Sequence, residues 1–593
     1  MAERTAVLGV ESSLTSQFWA AGDVSQDAVE SVARAAAVPE IVARLLAGRH
    51  VAPENVSFFL SPSFRNHLPD PYILRDMEKA AERIAKAVMN GEKIGVFGDY
   101  DVDGATSGAL MTRFLKKVGA DVATRIPERE EGYGPGEKAM REFVDAGSKL
   151  VVTVDCGTTA FDPLAFLMRQ GVDVIVIDHH EPDVVLPDVT AVVNPKRLDE
   201  PVDNPCRQMA AVGVVFMTLV AVNRLLREKG FYTPDRPEPN LMNALDLVAL
   251  GTVCDVVALR GLNRLFVKSG LAAMAQRRNK GLCVLTDLAN IKEKPTAYHL
   301  GFVLGPRLNA CGRIGNASLG MKLLCAADEA EAADIAQKLE ELNTVRRQMC
   351  ENIYKQAIAQ VESRPEHDGV VFVSGNDWHA GVIGIIAGRL KERYNLPALV
   401  MARVGDELRG SGRSVAGADL GAAVLAAKEK GILTAGGGHA MAAGFSLNAD
   451  RADEFKAFLV DYFKTHGSAV RQAADFTIDS IIDVGAVSSG LLETLSAMEP
   501  FGEGNPEPRF ALPDVAVSGA RIVGSGHVSC TFVGRNGKSR IRAIAFRAAD
   551  SIVGTSLLNA KGTLFHAAGY IRPDTFRGEG AAQFVIEDLA LAV

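Results

Sequence analysis

Four short runs in the first half of the chain constrain its fold more than any other feature. Residues 93–98 (KIGVFG), 149–154 (KLVVTV), 172–177 (VDVIVI) and 190–193 (TAVV) are rich in Val and Ile at nearly every position, with helix-compatible segments around 160–169 and 208–228. A strand with one wet face alternates apolar and polar residues, so a run that stays apolar must be covered on both sides. Strands of this kind separated by helices define an α/β unit on a parallel sheet. Ligands of such sheets bind in the crevice outside the carboxyl ends of the strands. Three of the four runs lead straight into acidic residues.

The first run enters Asp99-Tyr100-Asp101-Val102-Asp103-Gly104, the second Asp155, and the third Asp178-His179-His180. Asp255 follows another helical stretch near 241–250, in the text LGTVCD. Acids at alternating positions place their oxygens around a hard cation, and Gly104 permits a tight exit from the turn. Convergence of strand ends brings together Asp101, Asp103, Asp155 and His179, with Asp255 contributed from outside the sheet. Mixed carboxylate and imidazole donors suit Mn²⁺ and leave Mg²⁺, Fe²⁺ and Zn²⁺ open. The donors exceed the needs of one ion, so two cations bridged by Asp155 are expected, Asp99 lying close to them. Asp178 is expected to orient an imidazole from behind the ligands, and His180 to contact substrate phosphate or assist proton transfer. The bland alternative for any one of these acids is helix capping.

Residues 328–360 carry apolar positions at Ile335, Leu339, Leu342, Val345, Met349 and Ile353, the spacing of one long helix that could join two domains. A second α/β unit begins with VVFVSG at 370, and its glycines concentrate in RGSGRSVAG (409–417) and AGGGHAMAAG (435–444). Read as loops, both offer backbone amides to phosphate through Gly437, Gly438 and His439, beside Arg409, Ser411 and Arg413. After about 470 the text turns to short apolar strands broken by Gly, the pattern of a small barrel. Residues 521–547 hold six Lys or Arg and no Asp or Glu. Among them, Arg521, Lys538, Arg540 and Arg542 are candidates for tracking a phosphate backbone. Phe546, inside IRAIAF, reads as core. The expected division is an N-terminal extension partly packed on the core (1–74), a catalytic unit (75–325), the connecting helix (326–360), a substrate-binding α/β domain (361–465) and the barrel (470–593).

At 593 residues, with 48% hydrophobic and 23% charged, the chain can bury several cores and is not a disordered polymer. A formal charge of −8 excludes a histone-like polybasic binder but not a local positive channel. Eight scattered cysteines with no CxxC pair argue against a zinc knuckle or disulfide framework. Residues 1–20 lack the pattern of a secretory leader, and the apolar stretch 209–222 is too short to span a membrane, so a cytoplasmic location is expected.

Taken together, DYDVDG, VDCG, DHH at 178–180, GTVCDVVAL at 251–259, LGPRLNACGRIG at 304–315, SGRS at 411–414 and GGGHAMAAGF at 436–445 resemble the DHH phosphoesterase superfamily. They are most similar to its bacterial single-strand-specific exonucleases. The likeness extends over about residues 75–590, with Cys254 where that family often has Ala. It implies a metal-dependent 5′ to 3′ exonuclease that releases mononucleotides from single-stranded DNA, using Mn²⁺ or Mg²⁺ and ending in an OB-like barrel. Under it, Asp101, Asp103, Asp155, His179 and Asp255 are metal ligands and His180 faces the substrate. Arg307, Asn309 and Arg313 are strand contacts, a buried salt bridge being the alternative for Arg313. The implied partners are a RecQ-type helicase, a single-strand binding protein and mismatch-repair proteins. Two other readings stay open: a phosphodiesterase for small substrates, and a single-strand binder without activity.

Overall fold

The Val and Ile runs pair side by side in one five-stranded parallel sheet. Its strands are β1 (Ile94–Gly98), β2 (Val122–Arg125), β3 (Leu150–Val154), β4 (Asp173–Ile177) and β5 (Ala191–Val193), in the order β2-β1-β3-β4-β5. The computed structural model describes residues 5–363, 369–466, 475–574 and 581–592, so the expected barrel start at 470 lies outside the described residues. Along β3, Leu150, Val152 and Val154 enter one core while Val151 enters another on the opposite face. Helices cover both, which is why these strands tolerate no polar alternation. β2 escaped the apolar pattern because it is an edge strand, largely half-exposed.

Helices α1 (Val102–Lys117), α2 (Ala211–Glu228) and α3 (Leu245–Cys254) pack together on the larger core. A π-helical turn, His299–Leu304, then runs directly into α4 (Gly305–Ile314). The long helix is α5 (Glu329–Glu362), capped by the Asp328 side chain, which accepts from Glu331 N at 2.9 Å. At 1.5 Å per residue it spans about 50 Å, joining the catalytic unit to the second α/β domain.

That domain comprises β6 (Val371–Gly375), α6 (Ile383–Tyr394), β7 (Ala398–Val404), β8 (Glu407–Arg413), β9 (Ala435–His439) and β10 (Ala442–Asn448), with strand order β9-β10-β8-β7-β6. Both glycine-rich segments expected as loops therefore fall largely on strands. Some of their glycines serve packing: a side chain at Gly410 would strike the Phe445 ring at 2.1 Å. The barrel is closed, with β11 (Phe510–Val523), β12 (His527–Val533), β13 (Arg540–Ala545), β14 (Leu564–Pro573) and β15 (Ala582–Leu591) joined by a β14–β11 pairing. Phe532 is fully buried inside it. Phe546 is not core: it lies beyond the end of β13, 50% exposed, edge-on to His527 at 5.2 Å. The strand alternation that would have buried it stops one residue earlier.

The N-terminal extension packs on both the barrel and the catalytic unit. Its helices Gln26–Ala36 and Glu40–Gly48 share a hydrophobic core with the barrel, and Phe18–Ala21 pairs in parallel with Asp475–Ile478. Contact with the catalytic unit is made by apolar side chains, Phe64 lying against Phe216 and Phe266, and by charged side chains on backbone carbonyls. Arg264, 1% exposed, donates to Phe59 O, Pro500 O, Met498 O and Glu499 O at 2.6–3.3 Å, its guanidinium over the Phe59 ring. Arg49 and Asn505 tie the same loop together from the other side. Truncation at Arg264 would leave buried carbonyls without donors, so Arg264→Ala should cost about 3 kcal/mol or more. Calorimetry should show a lowered Tm, and limited proteolysis an earlier cut between the catalytic unit and barrel.

Candidate metal centre and anion pocket

Each acidic residue is delivered by the end of a strand or helix. Asp99 follows β1, and Asp101 caps α1, accepting from Gly104 N at 3.0 Å. Asp103, in the first turn of α1, is buried and accepts from Ala211 N at 2.7 Å and Val212 N at 3.0 Å. The amino end of α2 thus steadies a carboxylate supplied by α1. Asp155 follows β3 with φ of +61°, a left-handed conformation that Asp tolerates better than most residues. Asp255 caps the carboxyl end of α3. A side chain at Gly251 would meet Thr106 Oγ1 at 2.3 Å and Asp103 Oδ1 at 2.9 Å, so only glycine lets α3 close on α1.

Three overlapping ligand groups result: Asp99, Asp101 and Asp155; Asp155, His179 and His180; and Asp103, His179 and Asp255, with the donor atoms in each within 4.8 Å of one another. His179 Nε2 stands 3.4 Å from Asp155 Oδ1, 3.6 Å from Asp255 Oδ2 and 3.9 Å from Asp103 Oδ2. Asp155 is shared by the Asp99–Asp101 group and the His179–His180 group. Asp99 Oδ1, Asp155 Oδ1, Asp255 Oδ2 and His179 Nε2 are buried with no hydrogen-bond partner. Converging lone pairs left unpaired in this way fit hard divalent cations.

The electrostatics say the same. Burial and then the Asp101 charge push Asp99 and Asp255 each up to about 7. Burial and neighbouring carboxylates carry Asp103 and Asp155 well above the usual range. Burial, then the nearby His180, lowers His179 to about 4, keeping it a neutral ligand. Asp178 behaves differently: burial opposes its ionisation, yet hydrogen bonds from His180 and Thr158 hold it below the ordinary carboxylate range. Its Oδ1 accepts from His179 N and His180 N and lies 2.8 Å from His180 Nδ1, while Oδ2 accepts from Thr158 N. Asp178 belongs to none of the three ligand groups and instead brackets His180. Burial opposes protonation of His180, but that bond and the charges of Asp178, Asp255 and Asp101 together raise its pKa. Tyr133 completes the bracket, 2.9 Å from His180 Nδ1 and donating to Asp155 O.

Beside this centre lies a group of guanidiniums. Arg129 stacks over the Tyr100 ring at 4.3 Å and donates to Gly312 O. Arg313, on α4, donates to Gly381 O at 3.1 Å, and burial with Arg129 and Arg346 nearby lowers it to about 10. Arg409, Ser411 and Arg413 share one face of β8, and a side chain at Gly384 of α6 would meet Ser411 Oγ at 3.0 Å and Arg413 Nη2 at 3.3 Å. Among the described residues, Arg129, Arg313 and Arg413 form no ion pair; they donate to backbone carbonyls or Ser411. Like charges gathered without a carboxylate favour a bound anion.

The structure leaves other sequence candidates elsewhere. Arg307 is bound to Glu340 at 2.5 Å and to Val303 O, bolting α4 to α5, because the helical period turns it away from Arg313. Asn309 is half-buried one turn before Arg313. Gly437 and Gly438 lie on β9, an edge strand whose outer amides face no neighbouring strand, and His439 is exposed and outside the three ligand groups. Arg521, Lys538 and Arg540 are exposed on the barrel, whereas Arg542 pairs with buried Asp574 at 3.0 Å. Arg129 and Tyr133 were missed by sequence reasoning: IPEREEGYG looks like a solvated loop, with no period to mark an inward-facing residue.

Comparison with known proteins gives the class first. Residues 93–252 match the DHH family N-terminal domain, 367–465 the DHHA1 domain and 478–588 the RecJ OB domain, so the fold and site are those of a DHH phosphoesterase. More particularly, the chain belongs to the RecJ family. It is 34% identical over 564 residues to the single-stranded-DNA-specific exonuclease RecJ of Dickeya dadantii, covering 93% of this chain and 96% of that protein. The crystal structure of Thermus thermophilus RecJ with Mn²⁺ matches with a TM-score of 0.78 and 29% identity over 95% of this chain and 78% of that one. The same organism's RecJ with Mg²⁺ gives 0.73 and 28%, covering 95% of this chain and 77% of that one.

Carboxylates raised to about 7 must lose protons to take a cation. Calorimetry in buffers of differing ionisation enthalpy should therefore show proton release on Mn²⁺ binding that declines as pH rises through 7, with affinity weakening below 7. Asp178→Asn should leave Mn²⁺ binding within about threefold but lower kcat at least tenfold and lower the His180 pKa followed by NMR.

Proposed function

We propose that the chain is a metal-dependent exonuclease that hydrolyses single-stranded DNA from its 5′ end and releases 5′-mononucleotides, acting in DNA repair and recombination. One observation carries the reading: a buried carboxylate and imidazole centre directly beside an arginine pocket free of ion pairs. Asp101, Asp103, Asp155, His179 and Asp255 would hold two divalent cations, Mn²⁺ or Mg²⁺, with Asp99 alongside. Bound cations supply Lewis-acid charge to a phosphodiester and acidify the attacking water.

The chain's own groups do the rest. Arg129, Arg313, Ser411 and Arg413 bind a terminal 5′ phosphate, which sets the next phosphodiester over the carboxylate centre and limits each cut to one nucleotide. His180, whose protonation Asp178 favours, donates to the scissile phosphate and neutralises charge as the leaving oxygen departs. Its raised pKa and its fixed ring support this role. Arg521, Lys538 and Arg540 offer the trailing strand a basic surface on the barrel. No helix of the described residues is long and apolar enough to cross a membrane, in keeping with a cytoplasmic enzyme. A RecQ-type helicase, a single-strand binding protein and mismatch-repair proteins are the partners this reading implies, since each makes or covers single strands.

Long single strands labelled at either end, carrying 5′ phosphate or 5′ hydroxyl, test it with Mn²⁺. Early release of the 5′ label as mononucleotide and gradual shortening of the 3′-labelled strand are expected, with blunt duplex untouched. Asp101→Ala should abolish turnover. Arg313→Ala should remove most of the preference for 5′ phosphate, about tenfold or more. Digestion confined to dinucleotides would overturn the proposal in favour of a small-substrate phosphodiesterase.

A further inference from the structure

A cavity of about 240 Å³ lies in the catalytic unit between the first turn of α3, the end of the helix Gly261–Met274, the helix Lys280–Leu288 and the segment 291–295. Most of its buried lining is satisfied. Met274 and Leu282 are apolar, Thr286 donates its hydroxyl to Leu282 O, and Asn279 caps the helix Lys280–Leu288 while donating to Leu324 O. Asp246 is the exception. It is 2% exposed, its Oδ1 accepts from the backbone amide of Leu247 at 2.8 Å, and among the described residues no side chain donates to it. Burial pushes its carboxyl up to about 6, the Leu247 amide and the charge of Arg113 offsetting only part of that. A buried carboxylate facing a cavity without a donor is costly unless something else supplies one.

The rim has the opposite character. Arg277, Arg278, Lys292 and Lys294 line it and are exposed, with Glu293 the one exposed acid of the lining. Arg277 pairs with Asp287 at 2.5 Å, Arg278 donates to Asn243, and Glu293 is engaged with His299 at 3.1 Å. Among the described residues Arg278, Lys292 and Lys294 form no ion pair. On a chain with a formal charge of −8, three such cations around one opening favour an anion. The cavity therefore suits a molecule with hydrogen-bond donors at one end and negative charge at the other. An ionised carboxylate only accepts, and it matches two neighbouring N–H donors. Guanine presents that pair on one edge, at N1 and the N2 amino group, whereas adenine and cytosine set a ring acceptor beside their amino group and thymine flanks its one donor with carbonyls. Drug-sized ligands occupy about 300–1,000 Å³, so this smaller space takes a base and leaves phosphates at the rim.

We propose that this cavity is a guanine-nucleotide site, with the base edge on Asp246 and the phosphates on Arg278, Lys292 and Lys294. It is separate from the carboxylate centre: nine residues of α3 lie between Asp246 and Asp255, about 14 Å along the helix axis. An occupant would touch the first turn of the helix whose far end delivers Asp255. It would also touch the segment 291–295, tied through Glu293 to the turn that begins α4. Such a site would exist whether or not the chain cuts DNA.

Titration calorimetry of full-length protein with GDP, ADP and dGMP, without added divalent cation, is the test. GDP should bind about tenfold or more tighter than ADP. Asp246→Asn, which exchanges one acceptor for a donor at nearly equal size, should abolish that preference. Lys292→Glu/Lys294→Glu, confined to the exposed rim, should weaken GDP about tenfold or more with Tm unchanged. Arg313→Ala should leave GDP binding intact. The dGMP arm separates two sources of the same chemistry: weaker binding than GDP supports a free nucleotide with several phosphates, and equal binding supports a mononucleotide released from DNA. Equal affinity for GDP and ADP would overturn the proposal, as would no binding of GDP at millimolar concentration. Binding lost in Arg313→Ala but kept in both Asp246→Asn and the rim variant would place the nucleotide in the anion pocket and overturn it too.

Discussion

The gathering of like charges at one end of a parallel sheet is the constraint on which this molecule turns. Asp99, Asp101, Asp103, Asp155 and Asp255 approach one another in a region where several of them are nearly sealed from water. Repulsion and desolvation there would push the elements apart without compensation. The compensations are visible: the amino end of α2 on Asp103, the capping of α1 by Asp101, and the hydrogen bonds that brace Asp178. What remains uncompensated is a set of unpaired buried donor atoms aimed at common points. The fold concentrates a negative field and leaves its last neutralisation to cations.

A second charge arrangement mirrors the first. Arg129 and Arg313 come from a loop and helix α4 of the catalytic unit and Arg413 from the second α/β domain, so no single unit owns the pocket. α5 holds those units in register, with Arg307 bolted to Glu340 in its first half. The barrel and N-terminal helices are fastened by Arg264, Arg49 and Asn505 through backbone carbonyls. Negative centre and positive pocket are thus neighbours because three folding units are locked together. A phosphodiester beside a terminal phosphate suits that juxtaposition.

Much of the catalytic unit was legible in the text because it obeys strong local rules. Continuous Val and Ile runs reported buried parallel strands, and acids immediately after them marked the ligand-binding edge. Asp255 was readable only through the GTVCD motif, since no strand leads to it. The glycine-rich segments misled: glycine signals both loops and close sheet packing, and only the Phe445 ring against Gly410 distinguishes them. Phe546 and Arg542 were misjudged for a similar reason, because a strand pattern says nothing of where a ladder ends or which buried acid waits opposite.

The sequence by itself determined the chemistry available here: hard donors at strand ends, a cationic helix end in LNACGRIG, and a barrel that could carry basic residues. Covalent order and periodicity suffice for that, since each signal spans only a few residues. Tertiary structure alone decided that Asp155 lies between two ligand groups, that Asp178 braces His180, that Arg129 and Tyr133 reach the site from a loop, and that Arg307 faces away. Each of these depends on distances between segments far apart in the chain, set by how helices and sheets pack. Local pattern does not encode them.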